Sequence, residues 1–365
     1  MTDSASRNID LRHGRATPEG TARYRSRFPD AADGHFRQAL GGLWLSSIGL
    51  GTGGYVGHDR EPGVVEATVT GGINVVDTAI NYGNQRAERS VGRGLYSLFE
   101  SGRLSRDEVL VCSKGGYLPF GTREFDDRFI RTGLCQPSDV VDGVHCLAPA
   151  FLDEQLSASR RNLSLETIDI YLLHNPEEQL AVRDDDAFAA CLVGAFGALE
   201  RAAEAGHIGS YGVSVAPPVA GDMPFPRLDR LLAWAHQVAG AKHHFRAVEV
   251  PVNLWLTHAV FDESHVVNGR RVSLVEAAMT SELAVLSSVP ANGGRLGPIP
   301  LILRRLCPEL PDLQVALQFT RSVPGVTTAL VGMSDGEHVE ENLRLRRLSP
   351  LDLGAPWAEP EDVTT

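Results

Sequence analysis

The segment TIDIYLLHN (residues 167–175) is one of eight short apolar runs from which the fold can be predicted. It is a short, continuous apolar run that ends in polar residues, as is typical of a strand buried on both faces. Seven further runs of this kind occur: LWLSSIGLGT (43–52), INVVDTA (73–79), EVLVCSK (108–114), IGSYGVSV (208–215), AVEVPVNLW (247–255), ELAVLSS (282–288) and TTALVGMS (327–334). Amphipathic stretches with helical periodicity lie between them, such as 186–206, which ends at Gly206. Eight strand–helix units predict an α/β protein, a (β/α)8 TIM barrel.

The barrel is predicted to be a single domain, because no Pro/Ser-rich linker divides the chain. We assign residues 36–348 to the catalytic barrel, residues 1–35 to an N-terminal extension and residues 349–365 to a C-terminal tail. The longest interruption, 115–147, follows the third strand. It is too long for an ordinary loop between a strand and a helix, so we expect it to be a lid or a substrate loop.

Composition limits the classes of function. The chain is 43% hydrophobic and 22% charged with a net charge of −12, which excludes a largely disordered protein and disfavours binding to nucleic acid or to anionic membrane surfaces. The five cysteines are widely spaced, and the first 40 residues are polar, so we expect free thiols in a reducing cytoplasm. Cys135, His145 and Cys146 fit no common zinc spacing, and no metal site is predicted. The oligomeric state stays open.

Polar side chains end three consecutive strands. Asp77 ends the second strand, Lys114 the third and His174 the fourth, while Tyr82 follows Asp77 by five residues. The carboxyl ends of parallel barrel strands meet at one mouth, where barrel enzymes place their active sites. We therefore expect a carboxylate, an ammonium and an imidazole to meet there, with a phenol from the second loop beside them.

This set of groups suits proton delivery to a carbonyl oxygen. A nearby lysine stabilises a phenolate and lowers the pKa of Tyr82, and Asp77 keeps Lys114 charged. A neutral His174 can orient a carbonyl, and Tyr82 can then protonate the alkoxide that forms when a hydride arrives. The set contains no nucleophile, so acyl transfer is disfavoured. Amino acids cannot supply a hydride, which implies a nicotinamide cofactor.

The motifs GLGTGG, DTAINYG, VCSK, IDIYLLHNP, GVSV and PGVTTALVGMSDGEHVEENL, in this order, resemble those of the aldo/keto reductase superfamily over roughly residues 36–345. The resemblance implies a nicotinamide cofactor bound across the barrel mouth and places the catalytic tetrad on Asp77, Tyr82, Lys114 and His174. The implied reaction is reduction of an aldehyde or ketone to an alcohol, or the reverse, with Tyr82 as the proton donor.

The resemblance also supplies candidate cofactor-binding residues. They are Gly51, Thr52, Ser214, Glu249, Ser287, Gly332, Ser334, His338, Glu341 and Asn342. Three positions depart from the family pattern. Val215 replaces an asparagine, and Ser287 lies where an aromatic residue often stacks on the nicotinamide. Glu249 replaces a glutamine, so it can accept from the carboxamide NH2 group but cannot donate to the carboxamide carbonyl.

The last motif predicts where the far end of the cofactor binds. Residues 334–337 predict a capping box that opens a helix, whose N–H groups could face a pyrophosphate or a ribose phosphate. His338 replaces the arginine that commonly binds a 2′-phosphate in the family, and Asp335 and Glu337 would repel a phosphate dianion. We expect NADP, the family default, with NAD as the open alternative.

Aromatic residues just past the strands are candidates for the substrate pocket, namely Tyr55, Tyr117 and Trp255. Three other functions stay open: a cofactor-binding redox sensor without turnover, an isomerase or eliminase that uses bound nicotinamide transiently, and a Rossmann dehydrogenase. The last rests on the GxGxxG pattern of 49–54 with Asp77 beyond it. It is disfavoured because the next helix is predicted to begin only near Pro62.

Overall fold

Eight parallel strands close into a barrel in the computed structural model, which describes residues 11–53, 62–216 and 227–353. Each strand pairs with the next one along the chain, and the last pairs with the first, which confirms the predicted (β/α)8 fold. The strands are β1 (Ile48–Gly51), β2 (Val75–Asp77), β3 (Leu110–Gly115), β4 (Ile168–His174), β5 (Ile208–Ser214), β6 (Phe245–Pro251), β7 (Ala284–Ser288) and β8 (Val326–Gly332).

A helix connects each barrel strand to the next, and an eighth helix follows β8. These helices span Pro62–Thr70, Arg86–Glu100, Pro149–Leu163, Asp185–Glu204, Leu228–Ala239, Leu274–Thr280, Asp312–Ser322 and Gly336–Leu343. Shorter helices span Pro18–Ser26, Thr122–Phe125, His258–Phe261 and Leu301–Leu306. None of the helices in the described ranges has the length and apolar character that a membrane span needs. β1 ends at Gly51, and the next helix among the described residues begins at Pro62, as predicted. The closed barrel also differs from the open sheet of a Rossmann dehydrogenase.

The barrel interior explains why polar groups collect at one mouth. Successive residues of a strand point alternately into the barrel and toward the helices. The interior is filled by apolar side chains that include Val75 of β2, Cys112 of β3, Leu172 of β4 and Ala247 of β6. The next inward positions, two residues later, are Asp77, Lys114, His174 and Glu249. The apolar layers below leave only the upper end of the barrel for charged chemistry.

The predicted first strand divides into two elements. Residues Leu43–Ser46 pair antiparallel with Phe36–Ala39, and β1 begins only at Ile48. Leu43 and Leu45 of this hairpin belong to the same apolar cluster as the barrel interior, so the hairpin closes the end opposite the polar mouth. A continuous apolar run does not reveal where its pairing partner changes, which is why the sequence predicted one strand.

The described part of the N-terminal extension, residues 11–35, packs on the barrel. Its helix Pro18–Ser26 is capped by Thr17, whose hydroxyl accepts from the Gly20 N–H. The Tyr24 side chain is buried in the main core and donates to the Val69 carbonyl. Helical periodicity was not evident in the sequence because Tyr24 is surrounded by polar and basic residues.

The segment 115–147 has a small core of its own. Phe125, Phe129, Cys135, Cys146 and Phe151 form a separate buried cluster in which the rings of Phe125 and Phe151 meet edge to face at 5.2 Å. A hairpin of Val140–Val141 with His145–Cys146 adds backbone pairing. The segment is thus a folded layer fixed beside the strand ends.

Candidate active site

Lys114 lies at the centre of a buried charged cluster. Its Nζ donates to both carboxylate oxygens of Asp77, at 2.7 and 2.6 Å. Glu249 Oε2 lies 3.2 Å from the same nitrogen. The three side chains are only 0%, 4% and 5% exposed. Asp77 comes from the strand adjacent to Lys114, whereas β6 lies three strands from β3, so Glu249 reaches the lysine across the barrel interior.

Burial and charge act in opposite directions on these groups. Burial raises the pKa of the Asp77 carboxyl, the negative charge of Glu249 raises it further, and Lys114 offsets only part of this, so that the pKa is about 8. Burial opposes the charged form of Lys114, but Asp77 and Glu249 together hold the pKa of the ammonium well above its ordinary value. Lys114 therefore stays charged, and the two carboxyls compete for it.

Tyr82 is presented by a tight turn after β2. The Tyr82 N–H donates to the Ala79 carbonyl at 3.1 Å. The next three residues, Gly83, Asn84 and Gln85, have φ of 56°, 54° and 70°, in the left-handed region that glycine and asparagine tolerate best. The turn folds back because its residue types accept this conformation, and it directs the Tyr82 ring over the mouth.

The phenol of Tyr82 lies against both neighbouring groups. Lys114 Nζ is 5.2 Å from its ring centroid, and the His174 ring meets it edge on at 5.6 Å. Burial raises the pKa of Tyr82 to about 12, with the pull of Lys114 in the opposite direction and the carboxylates of Asp77 and Glu249 adding to the rise. The expectation of a lowered phenol pKa was wrong, because burial and the second carboxylate outweigh the lysine.

His174 is held as a neutral imidazole. Burial lowers the pKa of His174 well below its ordinary value, and the charge of Lys114 lowers it further. Its Nδ1 has no hydrogen-bond partner among the described residues. Its carbonyl lies 2.8 Å from His145 Nε2, which must donate because a carbonyl only accepts. The other His145 nitrogen then accepts from the Gln179 amide at 2.8 Å.

Tyr117, a predicted substrate residue, lies beside His174. The two rings meet edge to face at 5.0 Å. The Tyr117 hydroxyl donates to Glu178 Oε1 at 2.7 Å and accepts from Asn175 Nδ2 at 3.0 Å. These three half-buried residues form a polar row beside the imidazole. The sequence did not single out Asn175 or Glu178, although Asn175 directly follows the predicted strand-end histidine and Glu178 comes four residues after it.

The other predicted substrate residues have different outcomes. Tyr55 lies outside the described residues. Trp255 lies beyond the end of β6, where its backbone N–H donates to Asn253 Oδ1 at 2.8 Å. Its indole packs closely on Gly297, since a Cβ at that position would lie 2.5 Å from Trp255 Nε1. These contacts link Trp255 to Asn253 of its own loop and to Gly297 of the loop after β7, and none of them joins it to the charged cluster.

The candidate cofactor residues near the nicotinamide end lie on the upper ends of the strands. Gly51 ends β1, and the Thr52 N–H that follows donates to the Asp77 carbonyl at 3.0 Å. The buried Thr52 hydroxyl has no partner in the described ranges. Ser214 ends β5 and is buried. Ser287 of β7 donates to the Val252 carbonyl at 2.8 Å, so its hydroxyl is already engaged.

The prediction that Ser334 caps the helix after β8 was wrong, because the cap lies one residue later. The helix Gly336–Leu343 is capped by Asp335, which accepts from the His338 N–H at 3.0 Å. Ser334 Oγ lies 2.6 Å from His338 Nδ1 instead of capping the helix. An aspartate is as good a cap as a serine, and the aspartate occupies the extended position before the first turn.

The remaining adenosine-side candidates lie on or near this helix. Gly332 ends β8 and is exposed. Glu341 accepts from Gln314 Nε2 at 3.5 Å. Asn342 is 2% exposed, and its Oδ1 lacks a hydrogen-bond partner among the residues that the structure describes.

The described residues contain no cluster of three metal-ligating side chains. His145, one of the three residues considered for a metal site, has both ring nitrogens engaged, by the His174 carbonyl and the Gln179 amide.

Sequence reasoning missed the role of Glu249 as a partner of Lys114. The signal was present, because a carboxylate within an apolar strand needs a partner when it is buried. The chain has only two lysines, Lys114 and Lys242. No comparable signal marked His145, whose role depends on how the segment 115–147 folds back.

Comparison with known proteins supports the motif analysis. The model of the aldo/keto reductase family matches residues 47–224. A D-threo-aldose 1-dehydrogenase of Pseudomonas sp is 25% identical over 90% of this chain and 97% of that protein. An uncharacterized oxidoreductase of Schizosaccharomyces pombe is 22% identical over 74% of this chain and 69% of that protein.

Among solved structures, an aldo/keto reductase from Klebsiella pneumoniae in complex with NADP and acetate superposes with a TM-score of 0.59 at 21% identity, covering 86% of this chain and 90% of that one. At this level of identity the superposition shows the shared fold. The matches confirm the resemblance that the motifs carry.

Proposed function

This chain is an oxidoreductase of the aldo/keto reductase superfamily, and we propose that it reduces an aldehyde or ketone to an alcohol, or catalyses the reverse oxidation, with Tyr82 as the proton donor. The observation that carries the proposal is the meeting of the Tyr82 ring with Lys114 Nζ and the His174 imidazole at one mouth of the barrel. A phenol, a fixed ammonium and a neutral imidazole are the groups that a developing alkoxide needs.

Each residue has a distinct task in this proposal. With a pKa of about 12, the Tyr82 hydroxyl is protonated at neutral pH and can donate a proton to the carbonyl oxygen, as reduction requires. Lys114 stabilises the phenolate that remains. His174 stays neutral and holds the carbonyl oxygen through a hydrogen bond. Asp77 fixes the position of Lys114 through two hydrogen bonds.

We propose NADP(H) as the cofactor, which supplies or accepts the hydride when bound. The unpartnered buried oxygens of Thr52 and Asn342 suit such a ligand, because a buried polar group without a partner is costly. The similar K. pneumoniae enzyme was solved with NADP. Asp335 and Glu337, both exposed at the helix start, oppose a 2′-phosphate and keep NAD as the competitor. Titration of the protein with NADPH and with NADH decides between them.

The variant Tyr82→Phe tests the proton donor. We expect kcat/KM for carbonyl reduction to fall by about a hundredfold or more, because general acid catalysis contributes about that much. NADPH binding, followed by fluorescence, should stay unchanged. Tyr96→Phe is the matched control, because Tyr96 is 50% exposed on the helix Arg86–Glu100. Near-normal turnover of Tyr82→Phe would refute the assignment.

We propose that the substrate carries hydroxyl groups next to its carbonyl. Tyr117, Asn175 and Glu178 form a polar row beside His174, and such a row can replace the water around a hydroxylated chain. The similar Pseudomonas protein is named as an aldose dehydrogenase. A higher kcat/KM for an aldose than for an alkyl aldehyde of equal length, lost in Glu178→Gln, is the expected result. No preference for the aldose would contradict it.

We also propose a cytoplasmic location, because all five cysteines lie in the described residues and are free thiols.

A further inference from the structure

Lys114 is held between two carboxylates that come from opposite walls of the barrel. We infer that Glu249 is a second counter-ion of Lys114. By offsetting the positive charge of the lysine, Glu249 sets the pH at which the Tyr82 hydroxyl ionises. Glu249 is thus a positioning residue that acts on the proton donor. The effect of Glu249 on the ionisation of Tyr82 follows from the geometry alone, whereas its effect on turnover rests on the proposed function.

The distances make Glu249 part of the charged cluster. Its Oε2 lies 3.2 Å from Lys114 Nζ, and Asp77 lies at 2.6 Å on the same nitrogen. With side chains at most 5% exposed, none of the three charges is screened by bulk water. If all three are ionised, the cluster carries one net negative charge in a buried position. Burying an unpaired charge is costly, so a protonated Asp77 carboxyl is favoured near neutral pH, in keeping with its raised pKa.

Few other groups contribute charge here. Among the described residues, the titratable groups that face the cluster are Tyr82 from the loop after β2, Cys112 on β3 and His174 on β4. Burial raises the pKa of the Cys112 thiol and lowers the pKa of His174, so both are neutral at neutral pH. β5 contributes Ser214, which does not titrate. The charge on Asp77, Lys114 and Glu249 therefore dominates at the phenol.

The consequence for Tyr82 follows from the signs. A phenolate is attracted by Lys114 and repelled by each ionised carboxylate. Above about pH 8, where Asp77 has lost its proton, the cluster with Asp77 alone would be a neutral ion pair, whereas Glu249 adds one negative charge and favours the protonated phenol. Glu249 thus keeps the phenol protonated to a higher pH, so that alcohol oxidation, which needs the phenolate, begins at a higher pH. Its removal should make the phenol a stronger acid.

The direct test is the ionisation of Tyr82, followed by the ultraviolet absorbance of tyrosinate against pH. The difference between each protein and the same protein with Tyr82→Phe isolates this phenol from the other tyrosines. We expect Glu249→Gln to lower the midpoint by about one pH unit or more, as removal of a nearby like charge does. An unchanged midpoint would overturn the inference. No substrate or cofactor is needed.

Two further variants separate charge from structure. Glu249→Asp keeps the negative charge and should keep the wild-type midpoint, whereas equal shifts in Glu249→Asp and Glu249→Gln would show a structural role and overturn the inference. Glu88→Gln removes another buried carboxyl, which is bound by Ser113 and Asn162, and should leave the midpoint unchanged. A shift in Glu88→Gln as large as that in Glu249→Gln would also overturn it.

An activity measurement tests the catalytic consequence. In Glu249→Gln the rise of alcohol oxidation with pH should move toward lower pH by the same amount as the phenol midpoint. If the wild-type protein reduces no carbonyl compound with NADPH or NADH, the proposed function fails, while the tyrosinate titration still decides the role of Glu249. A phenol midpoint that shifts without any shift of the oxidation profile would show that Glu249 does not act through Tyr82 in turnover.

Discussion

Asp77→Asn should change how stability depends on pH. The pKa of the Asp77 carboxyl is about 8 in the folded chain against an ordinary value of 3.8, because it is buried beside Glu249. Between about pH 4 and pH 8 the folded chain therefore holds a proton that the unfolded chain has released. In the wild-type protein this contribution to stability is complete below the unfolded pKa and is lost as pH rises through the folded pKa.

The size of the effect follows from proton linkage. A full proton corresponds to about 1.4 kcal/mol in the free energy of unfolding for each pH unit. Because the Asp77 carboxyl interacts strongly with the charges of Glu249 and Lys114, this slope is an upper value. Asparagine cannot titrate, and Glu249 remains beside Lys114 in the variant. The stability of the variant relative to the wild type should therefore improve by up to about 2.7 kcal/mol from pH 5 to pH 7.

The assay is urea unfolding at constant ionic strength across this pH range, followed by circular dichroism. Leu172→Val is the matched control, because Leu172 is buried on β4 in register with Lys114 and does not titrate. It should cost about 1 kcal/mol at every pH, which gives a curve parallel to the wild type. If the Asp77→Asn curve is also parallel, Asp77 is ionised throughout and the reasoning is refuted.

Three further predictions concern close approaches and the cofactor. Gly212→Ala should lower the free energy of unfolding by about 3 kcal/mol in urea titrations, because a Cβ there would lie 1.8 Å from the Ala247 carbonyl oxygen; a loss well under about 1 kcal/mol would contradict this. Gly116 has φ of 138°, and a Cβ there would lie 2.9 Å from His145 Nε2, which holds the His174 carbonyl. Gly116→Ala should therefore raise KM for the carbonyl substrate in steady-state assays without weakening NADPH binding. Equal effects on KM and on NADPH binding would contradict this prediction. His338→Arg should strengthen NADPH binding by about fivefold and leave NADH unchanged in fluorescence titrations, since a guanidinium pairs with phosphate; a common change for both nucleotides would disprove it.

The fold and the centre of the site could be predicted because they rest on local signals. Each barrel strand is a continuous apolar run, and the alternation of strands and helices leaves few architectures. Asp77, Lys114 and His174 could be placed together because each lies at or next to the end of one of three consecutive parallel strands. The hairpin before β1 could not be predicted, because the same apolar residue types occur in antiparallel and in parallel strands.

The residues near the ends of the strands could be identified without the structure, because strand period and chain order depend only on neighbouring residues. The tertiary structure alone decided that Glu249 reaches Lys114, since only closure of the barrel brings β6 across from β3. It also decided the direction of the Tyr82 pKa, which rises because burial and carboxylates outweigh the lysine. The burial of Tyr82 and the sum of the charges around it are properties of the whole folded chain, so no local pattern of residues reveals them.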